Sequence, residues 1–270
     1  MTANLVTPVT SEQAIDVWGG RLTMRIKVAG TGAPLLYLHS LDGLTWDPFL
    51  SHLAERHTVY APEFPGTSAG DPYAIHAIDE LPDLVLAYEE VVRQLGLSSP
   101  VLAGHSFGGM LAAELAAYFP GALDKLVLLS PMGLWQDDAP VSIPIAVKAD
   151  QLPALLFRDP ASEAARAMLS SPEDPDAARE AAARQVWALG CTGKFAWPIP
   201  DRGLRNRLHR ITASTLIVWG CQDRVIPASY ASEFASLIAN SKVALIDDCG
   251  HVPHVEQFEQ TAAAVDDFLS

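Results

Sequence analysis

A serine, an aspartate and a histidine each stand just after an apolar run of this 270-residue chain. Ser106 lies in VLAGHSFGGM, Asp223 in WGCQDRVIP and His251 in DDCGHVPHVEQ. A serine hydroxyl becomes an effective nucleophile when a base removes its proton and an acid orients that base. These three residue types therefore indicate nucleophilic catalysis by Ser106.

Glycines surround the candidate nucleophile on both sides, at Gly104, Gly108 and Gly109. Such a cluster usually reports a backbone shape that other residues cannot adopt. GHSFG satisfies the pattern G-x-S-x-G, in which the serine occupies a sharp turn between a strand and a helix. That turn presents the hydroxyl at the carboxyl edge of a sheet, beside a helix N-terminus that favours negative charge.

Two histidines compete for the role of base. His251 follows the last strand-like run, so its loop is expected at the same sheet edge as the serine, whereas His254 falls at the start of the final helix. Asp223 also follows a strand-like run, while Asp247 and Asp248 stand too close to His251 in sequence to reach its far nitrogen comfortably. The chain order serine, aspartate, histidine agrees with the choice of Asp223 and His251.

Short apolar runs alternate with helical patterns along the chain, which is typical of a mostly parallel sheet flanked by helices. Residues 15–28 predict an opening β-hairpin around Gly19-Gly20. Six further strands are predicted at 35–39, 58–63, 101–106, 126–131, 215–220 and 242–247, and helices at 81–96, 108–119, 228–239 and 255–269. The predicted fold class is therefore α/β, with an eight-stranded, mostly parallel sheet.

One long interval interrupts this alternation. Residues 133–208 contain no strand-like run, whereas the alanine-rich stretches 162–169 and 176–189 favour helix by intrinsic propensity. Aromatic side chains in the second half of the interval argue against a disordered linker. We predict a core of residues 1–132 and 209–270, with residues 133–208 inserted after the sixth strand as a helical lid.

The chain carries a formal net charge of −14, is 49% apolar and has a mean hydropathy of +0.16. An acidic chain without basic tracts is repelled by nucleic acids and anionic membranes, so we expect neither as a partner. The stretch MTANLVTPVTSEQ lacks the basic and apolar regions of a secretory leader. We expect a cytoplasmic protein that acts on a small molecule and needs no metal or organic cofactor.

Three cysteines, Cys191, Cys221 and Cys249, fit neither a disulfide scaffold nor a zinc site. Cys221 and Cys249 each stand two positions before Asp223 and His251. A disulfide that braces the two loops is one hypothesis. The simpler interpretation is a pair of small buried residues.

Taken together, the motifs resemble those of the α/β-hydrolase-fold serine hydrolases. The matching pieces are LLYLHS, YAPEFPG, LAGHSFGG, LIVWGCQDRVIP and CGHVPHVEQ, in the order and spacing of that superfamily. The resemblance covers the chain outside the lid. It implies Ser106 as nucleophile, His251 as general base and then general acid, and Asp223 as the residue that orients the imidazole.

The resemblance also implies two backbone N–H donors for the oxyanion that develops during acyl transfer. One belongs to Phe107, directly after the nucleophile, and alignment assigns the other to Leu41. The superfamily usually shows His-Gly-x in the second loop, whereas this chain has His39-Ser40-Leu41. Ser40 is therefore either a hydroxyl contributor or a turn residue without a catalytic part.

We expect the substrate pocket between the sheet edge and the lid. Phe107, Leu41 and Trp46 are expected at its base, with Ser40 beside them. The lid aromatics that could supply its walls are Trp135, Trp187, Phe195 and Trp197. Most of them are expected to pack within the lid rather than to contact the substrate.

A serine nucleophile excludes relatives that use an aspartate, such as epoxide hydrolases. We predict hydrolysis of a carboxylic ester or lactone through an acyl-enzyme on Ser106, in a monomer or homodimer. The open alternatives are a carbon–carbon bond hydrolase of the meta-cleavage-product type, a cofactor-free perhydrolase, and a receptor that binds a small molecule without turnover. HSLDG and HVPHVEQ lack the glycine-rich loop and the tryptophan usual in the carbon–carbon hydrolases, which counts against that alternative.

Overall fold

The computed structural model describes residues 11–68 and 71–270. Residues 1–10 and 69–70 lie outside this description. The expectation about a secretory leader falls on the amino-terminal ten residues and therefore also lies outside it.

In the described part of the chain, an eight-stranded sheet forms the centre of the molecule. Its strands are β1 (Ser11–Val17), β2 (Leu22–Ala29), β3 (Ala33–Leu38), β4 (His57–Pro62), β5 (Val101–His105), β6 (Lys125–Leu129), β7 (Ser214–Gly220) and β8 (Ser241–Ile246). Their spatial order is β1-β2-β4-β3-β5-β6-β7-β8. The β1–β2 and β2–β4 pairs are antiparallel and all the others are parallel. The mostly parallel sheet and the opening hairpin are confirmed.

The strand register brings the carboxyl ends of six parallel strands, β3 to β8, to one edge of the sheet. Leu38 of β3 pairs with Gly104 of β5, and Gly220 of β7 pairs with Ile246 of β8. Since parallel strands all leave the sheet at the same edge, the loops after β3, β5, β7 and β8 meet there. The candidate catalytic residues stand in or directly before those loops.

Helices cover both faces of the sheet. They are α1 (Pro48–Leu53), α2 (Leu81–Gln94), α3 (Phe107–Tyr118), α4 (Leu152–Leu156), α5 (Glu163–Met168), α6 (Pro175–Ala196), α7 (Ser229–Leu237), α8 (Pro253–Glu256) and α9 (Phe258–Leu269). Successive strand side chains point to opposite faces, so Leu36 and Leu38 pack in one apolar layer, while Leu35 and Tyr37 pack in the other. This double burial explains why the central strands read as continuous apolar runs.

The chain between β6 and β7 forms a helical insert that contains α4, α5 and α6. Ser162 caps α5 by accepting from the N–H of Ala165, and Asp174 caps α6 by accepting from the N–H of Ala177. The predicted helical insert after the sixth strand is confirmed. Its exact limits, residues 133–208, stay a prediction.

Two features are absent from residues 11–68 and 71–270. No helix there is long and apolar enough to cross a bilayer. The same residues contain no group of three or more His, Cys, Asp or Glu side chains placed to hold a metal ion.

Candidate active site

Ser106 occupies the turn between β5 and α3 with a backbone that non-glycine residues rarely adopt. Its φ is +54° and its ψ is −112°. The turn is held by neighbouring backbone, since the N–H of Ser106 donates to the carbonyl of Leu129 at 2.9 Å. In return the Ser106 carbonyl accepts from the N–H of Met132 at 3.0 Å. Strain of this kind persists only where the surrounding structure enforces it, and it is concentrated at functional sites.

Close backbone packing explains the two glycines of G-x-S-x-G. A Cβ atom on Gly108 would lie 2.1 Å from the carbonyl oxygen of Leu38, and one on Gly104 would lie 2.4 Å from the carbonyl oxygen of Gly108. Any side chain at either position would push the helix away from the sheet. The glycines therefore let α3 begin directly above β3 and β5, with Ser106 at the edge.

A continuous hydrogen-bonded chain joins the serine, histidine and aspartate. His251 Nε2 lies 2.9 Å from Ser106 Oγ, and His251 Nδ1 lies 2.8 Å from Asp223 Oδ2. With Nδ1–H donating to the carboxylate, the Nε2 lone pair faces the serine hydroxyl. Only 1% of Ser106, 2% of His251 and 8% of Asp223 is exposed, so these contacts are shielded from water. The arrangement can deprotonate the serine.

The competing residues lie elsewhere. His254 Nε2 is 3.5 Å from a carboxylate oxygen of Asp47, and burial lowers the pKa of His254 to about 3. Asp247 accepts from the Cys221 thiol, and Asp248 forms an ion pair with Arg158. His251 and Asp223 are therefore the histidine and the aspartate that the structure connects to Ser106. His254, Asp247 and Asp248 have other partners.

The backbone of His251 is held on both sides. Its carbonyl accepts from Nε2 of His105 at 2.9 Å, and its N–H donates to the carbonyl of Leu156, in the insert, at 2.7 Å. Burial lowers the pKa of His105 well below its usual value, so the ring is neutral. His105 and Leu156 therefore position the imidazole through its main chain, a role that the sequence analysis missed.

Glu256 connects the same loop to the insert. Its carboxylate accepts from the N–H of Gly250 at 2.6 Å, of Arg158 at 3.2 Å and of Asp159 at 3.0 Å. Gly250 precedes His251, and residues 158–159 follow α4. One charged side chain thus ties the histidine loop to the insert through three backbone donors.

A buried histidine organises the loop after β3. Nδ1 of His39 donates to the Ser40 carbonyl at 2.8 Å, while its Nε2 accepts from the N–H of Phe64 at 2.9 Å. Burial lowers the pKa of His39 to about 4, which keeps the ring neutral for this pair of bonds. The carbonyl of Leu41 accepts from the Thr192 hydroxyl of α6 at 3.0 Å. Both contacts restrain the loop that carries the second expected oxyanion donor.

The two expected oxyanion donors, Phe107 and Leu41, are both buried. Phe107 follows Ser106 in the sequence, whereas Leu41 lies beside Ser106 in the wall of the cavity. Phe107 is the first residue of α3, so its N–H has no partner within the helix. Leu41 lines the cavity at Ser106. Their role as oxyanion donors stays a prediction.

A small, mainly apolar cavity of about 40 Å³ lies over Ser106. The core supplies Ser40, Leu41, Asp42, His105, Ser106, His251 and Val252, and the insert supplies Pro144, Leu152, Leu156, Met168, Leu169, Gln185 and Leu189. The insert therefore covers the nucleophile. This cavity lies between the sheet edge and the insert, where the substrate pocket is expected.

A second cavity of about 420 Å³, here called the side chamber, adjoins the first. Ser40, Asp42, His105 and Met168 line both. The other residues of the side chamber are Tyr37, His39, Gly43, Thr45, Trp46, Asp47, Pro48, Ala164, Ala167, His254, Val255 and Phe258. Ser40 and Trp46 thus lie where the sequence predicts pocket residues.

The four lid aromatics are not among the residues that line either cavity, and their role as pocket walls stays a prediction. Trp135 donates to Asp137 and Trp187 donates to the carbonyl of Pro72. Phe195 packs edge-on against Phe64 in the core, and Trp197 is 48% exposed. The residues of α6 that face the cavity are Gln185 and Leu189, one helical turn apart, and the sequence does not reveal which face of the helix turns inward.

All three cysteines are free thiols. The Cys221 thiol contacts Asp247 at 3.4 Å, and the Cys249 thiol contacts the carbonyl of Gly250 at 3.5 Å. The hypothesis of a disulfide between the acid and base loops therefore finds no support.

Comparison with known proteins places this geometry in a family. The family described as Alpha/beta hydrolase family matches residues 35–264. A 2-hydroxy-6-oxo-2,4-heptadienoate hydrolase from Pseudomonas putida is 27% identical, with 98% of this chain and 99% of the relative covered. A membrane phospholipase A matches with a TM-score of 0.78 at 24% identity, over 96% of this chain and 86% of that one. Naproxen esterase from Bacillus subtilis matches with a TM-score of 0.74 at 16% identity, over 98% and 93%. Since the family match spans most of the chain, this protein belongs to the alpha/beta hydrolase family.

Proposed function

We propose that this serine hydrolase cleaves a carboxylic ester or a lactone through an acyl-enzyme on Ser106. The observation that carries the proposal is the unbroken chain of contacts from Ser106 through His251 to Asp223, at 2.9 and 2.8 Å. Nucleophile, base and orienting acid are therefore already assembled for attack on a carbonyl.

The reaction proceeds in two halves. Ser106 Oγ attacks the carbonyl carbon while its proton moves to Nε2 of His251, and the N–H groups of Phe107 and Leu41 stabilise the oxyanion. His251 then protonates the departing alkoxide, which leaves the acyl group on the serine. A water molecule, deprotonated by His251, attacks this ester, and collapse of the intermediate releases the acid and restores Ser106.

The charges in the Ser106 cavity and the side chamber favour an ester over a substrate that carries a carboxylate. A third cavity, which shares Asp42 and Met168 with both, includes Arg184, whose charge is paired with Glu180. The described residues that line the Ser106 cavity and the side chamber include no lysine and no arginine. A dienoate, such as the substrate for which the Pseudomonas putida relative is named, is an anion. Burying an anion without a compensating cation is costly, so an uncharged or cationic ester fits these cavities better.

The experiment that tests the proposal is steady-state hydrolysis of p-nitrophenyl esters from acetate to decanoate, with a lactone panel followed by proton release. We expect multiple turnovers, and we expect Ser106→Ala to lower kcat by roughly 10⁶-fold while its circular dichroism stays unchanged. Covalent labelling by a fluorophosphonate that persists in Ser106→Ala would show that the nucleophile is another residue. A burst of one product per enzyme without turnover would favour a receptor, and peroxyacid formation in hydrogen peroxide would reveal a perhydrolase.

Carbon–carbon bond hydrolysis is the second candidate, because similarity to the heptadienoate hydrolase extends over nearly the whole of both chains. The same triad would serve it. Loss of the dienoate absorbance, measured with the same enzyme preparation, separates the two reactions. A kcat/KM for the dienoate above that for the best ester would overturn the ester proposal.

A further inference from the structure

The side chamber adjoins the catalytic cavity, because Asp42, His105 and two further residues line both. Asp42 therefore lies next to a substrate held over Ser106. The mechanism uses none of the groups that are found only in the side chamber. Their chemistry thus bears on which substrate is accepted.

The side chamber contains two carboxylates, Asp42 and Asp47, and among the described residues that line it no lysine or arginine balances them. Three histidines also line it. Burial lowers the pKa of His39 to about 4 and of His254 to about 3, and it lowers the pKa of His105 well below its usual value. At neutral pH these rings carry no charge. Burial raises the pKa of both carboxyl groups, that of Asp47 to about 6, and a cation beside them favours their charged form.

Asp42 is the carboxylate that is free to meet a ligand. It is accessible from the cavities and forms no ion pair with any residue in the described ranges, and the protein packed around it raises the pKa of its carboxyl group. Asp47 is more constrained, since its Oδ1 caps α1 by accepting from the N–H of Leu50 at 2.8 Å. Its other carboxylate oxygen lies 3.5 Å from His254 Nε2.

Two further groups in the wall suit a cation that has N–H donors. His254 is only 6% exposed, and its Nδ1 has no hydrogen-bond partner among the residues that the structure describes. This leaves a buried acceptor without a donor. Trp46 lies in the same wall, with its indole N–H directed at Ser51, and an aromatic ring attracts a nearby cation.

We propose that the side chamber binds an ammonium group of the substrate through Asp42, and that the enzyme prefers esters with a positive charge over their neutral and anionic isosteres. This inference rests on the proposed ester hydrolysis and names its substrate class. A carboxylate facing a cation in a partly desolvated cleft gives attraction that water screens only in part.

The test compares substrates that differ only in charge. Ethyl 6-aminohexanoate, ethyl heptanoate and monoethyl pimelate place a cation, a methyl group and a carboxylate at the same end of the acyl chain. Butyrylcholine and 3,3-dimethylbutyl butyrate make the corresponding pair on the alcohol side. We expect kcat/KM in at least one series to favour the cation over the neutral ester by about tenfold, equivalent to about 1.4 kcal/mol, and to fall as salt is raised.

Asp42→Asn should remove most of this preference. The matched control is Asp124→Asn, which makes the same change in net charge at an exposed residue directly before β6, at the opposite edge of the sheet from Ser106. The control should keep the preference. A loss of preference in both variants would assign the effect to the net charge of the chain and overturn the role of Asp42.

A binding measurement on a variant that cannot turn over its substrate tests the same preference independently of catalysis. The same esters are titrated into the Ser106→Ala protein by calorimetry, and we expect the cationic ester to bind about tenfold more tightly than its neutral isostere. Equal binding and equal kcat/KM across both series would overturn the inference while leaving ester hydrolysis intact. Tight cation binding without hydrolysis of any ester would instead support the side chamber and contradict the proposed reaction.

Discussion

The two carboxylate oxygens of Asp223 have different partners. Oδ2 accepts from His251 Nδ1, while Oδ1 accepts from the N–H groups of Val225 and Ile226 at 2.8 and 2.9 Å. The backbone bonds hold the carboxylate in place, and the bond to the ring selects the tautomer whose Nε2 lone pair faces Ser106. Asp223 therefore orients the base and stabilises its cation without taking the proton itself.

Asp223→Asn should lower kcat by about 10⁴-fold. The amide oxygen can still accept from the backbone of Val225 and Ile226, so the loop should keep its shape. The amide nitrogen, however, donates to the ring and selects the tautomer with the proton on Nε2. Steady-state kinetics on the best ester, with the fold checked by circular dichroism, measures this loss. A loss of less than tenfold would return Asp247 and Asp248 to consideration.

The residues that perform chemistry could be predicted from the sequence, because each stands in a short local pattern directly after a strand. The residues that hold them could not. His105 contacts the carbonyl of a residue 146 positions away, and Glu256 reaches Arg158 across 98 positions. The loop that contains Asp42 can be recognised in the sequence. Only the folded structure shows that Asp42 lines the same cavity as the nucleophile.

Among the elements, the insert supports the active site as well as covering it. The end of α4 accepts the N–H of His251, and Arg224, next to the catalytic aspartate, donates to the carbonyls of Ala154 and Phe157. At the other end of the insert, Thr192 of α6 holds the loop after β3. Base, acid and oxyanion loops thus each contact the insert.

Glu256→Ala should lower kcat/KM by about tenfold, which is the effect of losing roughly 1.4 kcal/mol of positioning energy. The three backbone donors on Gly250, Arg158 and Asp159 would lose their shared acceptor, and the histidine loop would become less ordered. Glu256→Gln, which keeps one acceptor oxygen, should recover part of the loss. These values are measured with the best ester from acetate to decanoate.

The control for Glu256→Ala is Glu259→Ala, an exposed residue of α9 that forms no ion pair in the described part of the chain. It removes the same charge three residues further on and should leave kcat/KM within twofold of the wild type. Equal losses in both variants would show that charge, and not the bridge to the insert, is responsible. A fall in thermal stability without any fall in kcat/KM would assign Glu256 a purely structural role.

Helix α6 extends beyond its predicted end. Alanine content predicts a helix over 176–189, but the helix continues to Ala196 through two glycines that disfavour it. Cys191, Thr192 and Phe195 are buried there, so tertiary packing outweighs local propensity. The strands of the core are predicted within a few residues because burial on both faces leaves a strong apolar signal.

At the scale of the whole molecule, the buried histidines link stability to pH. His254 has a pKa of about 3 in the folded protein, well below the usual value near 6.5, because burial disfavours its charged form. Between these two values the unfolded chain binds a proton that the folded protein does not. The free energy of unfolding contributed by this residue is therefore complete above about pH 6.5 and is lost as the pH falls.

Replacing His254 by leucine should flatten this dependence. Relative to the wild type, His254→Leu should gain roughly 1.4 kcal/mol in free energy of unfolding for each unit of pH below 6.5. Carboxylates that do not contact His254 titrate alike in both proteins and cancel in the difference. Asp47 lies 3.5 Å from His254 Nε2, so the same comparison is made in an Asp47→Asn background. Urea unfolding from pH 7.5 to 4.5 measures the two curves. Parallel curves would show that His254 is charged in the folded protein.

The contacts between the insert and the catalytic loops limit how an enzyme of this kind can acquire new substrate specificities. Exchange of residues 133–208 for those of a relative would also remove the carbonyl of Leu156, which the catalytic histidine needs, and the Thr192 hydroxyl, which holds the oxyanion loop. The stretch from α5 to Leu189 carries the cavity-lining side chains Met168, Leu169 and Gln185 without those two attachments. New specificities are thus more accessible by recombination within 163–189 than by transfer of the lid as a unit, and chimaeras with breakpoints there should retain a working triad.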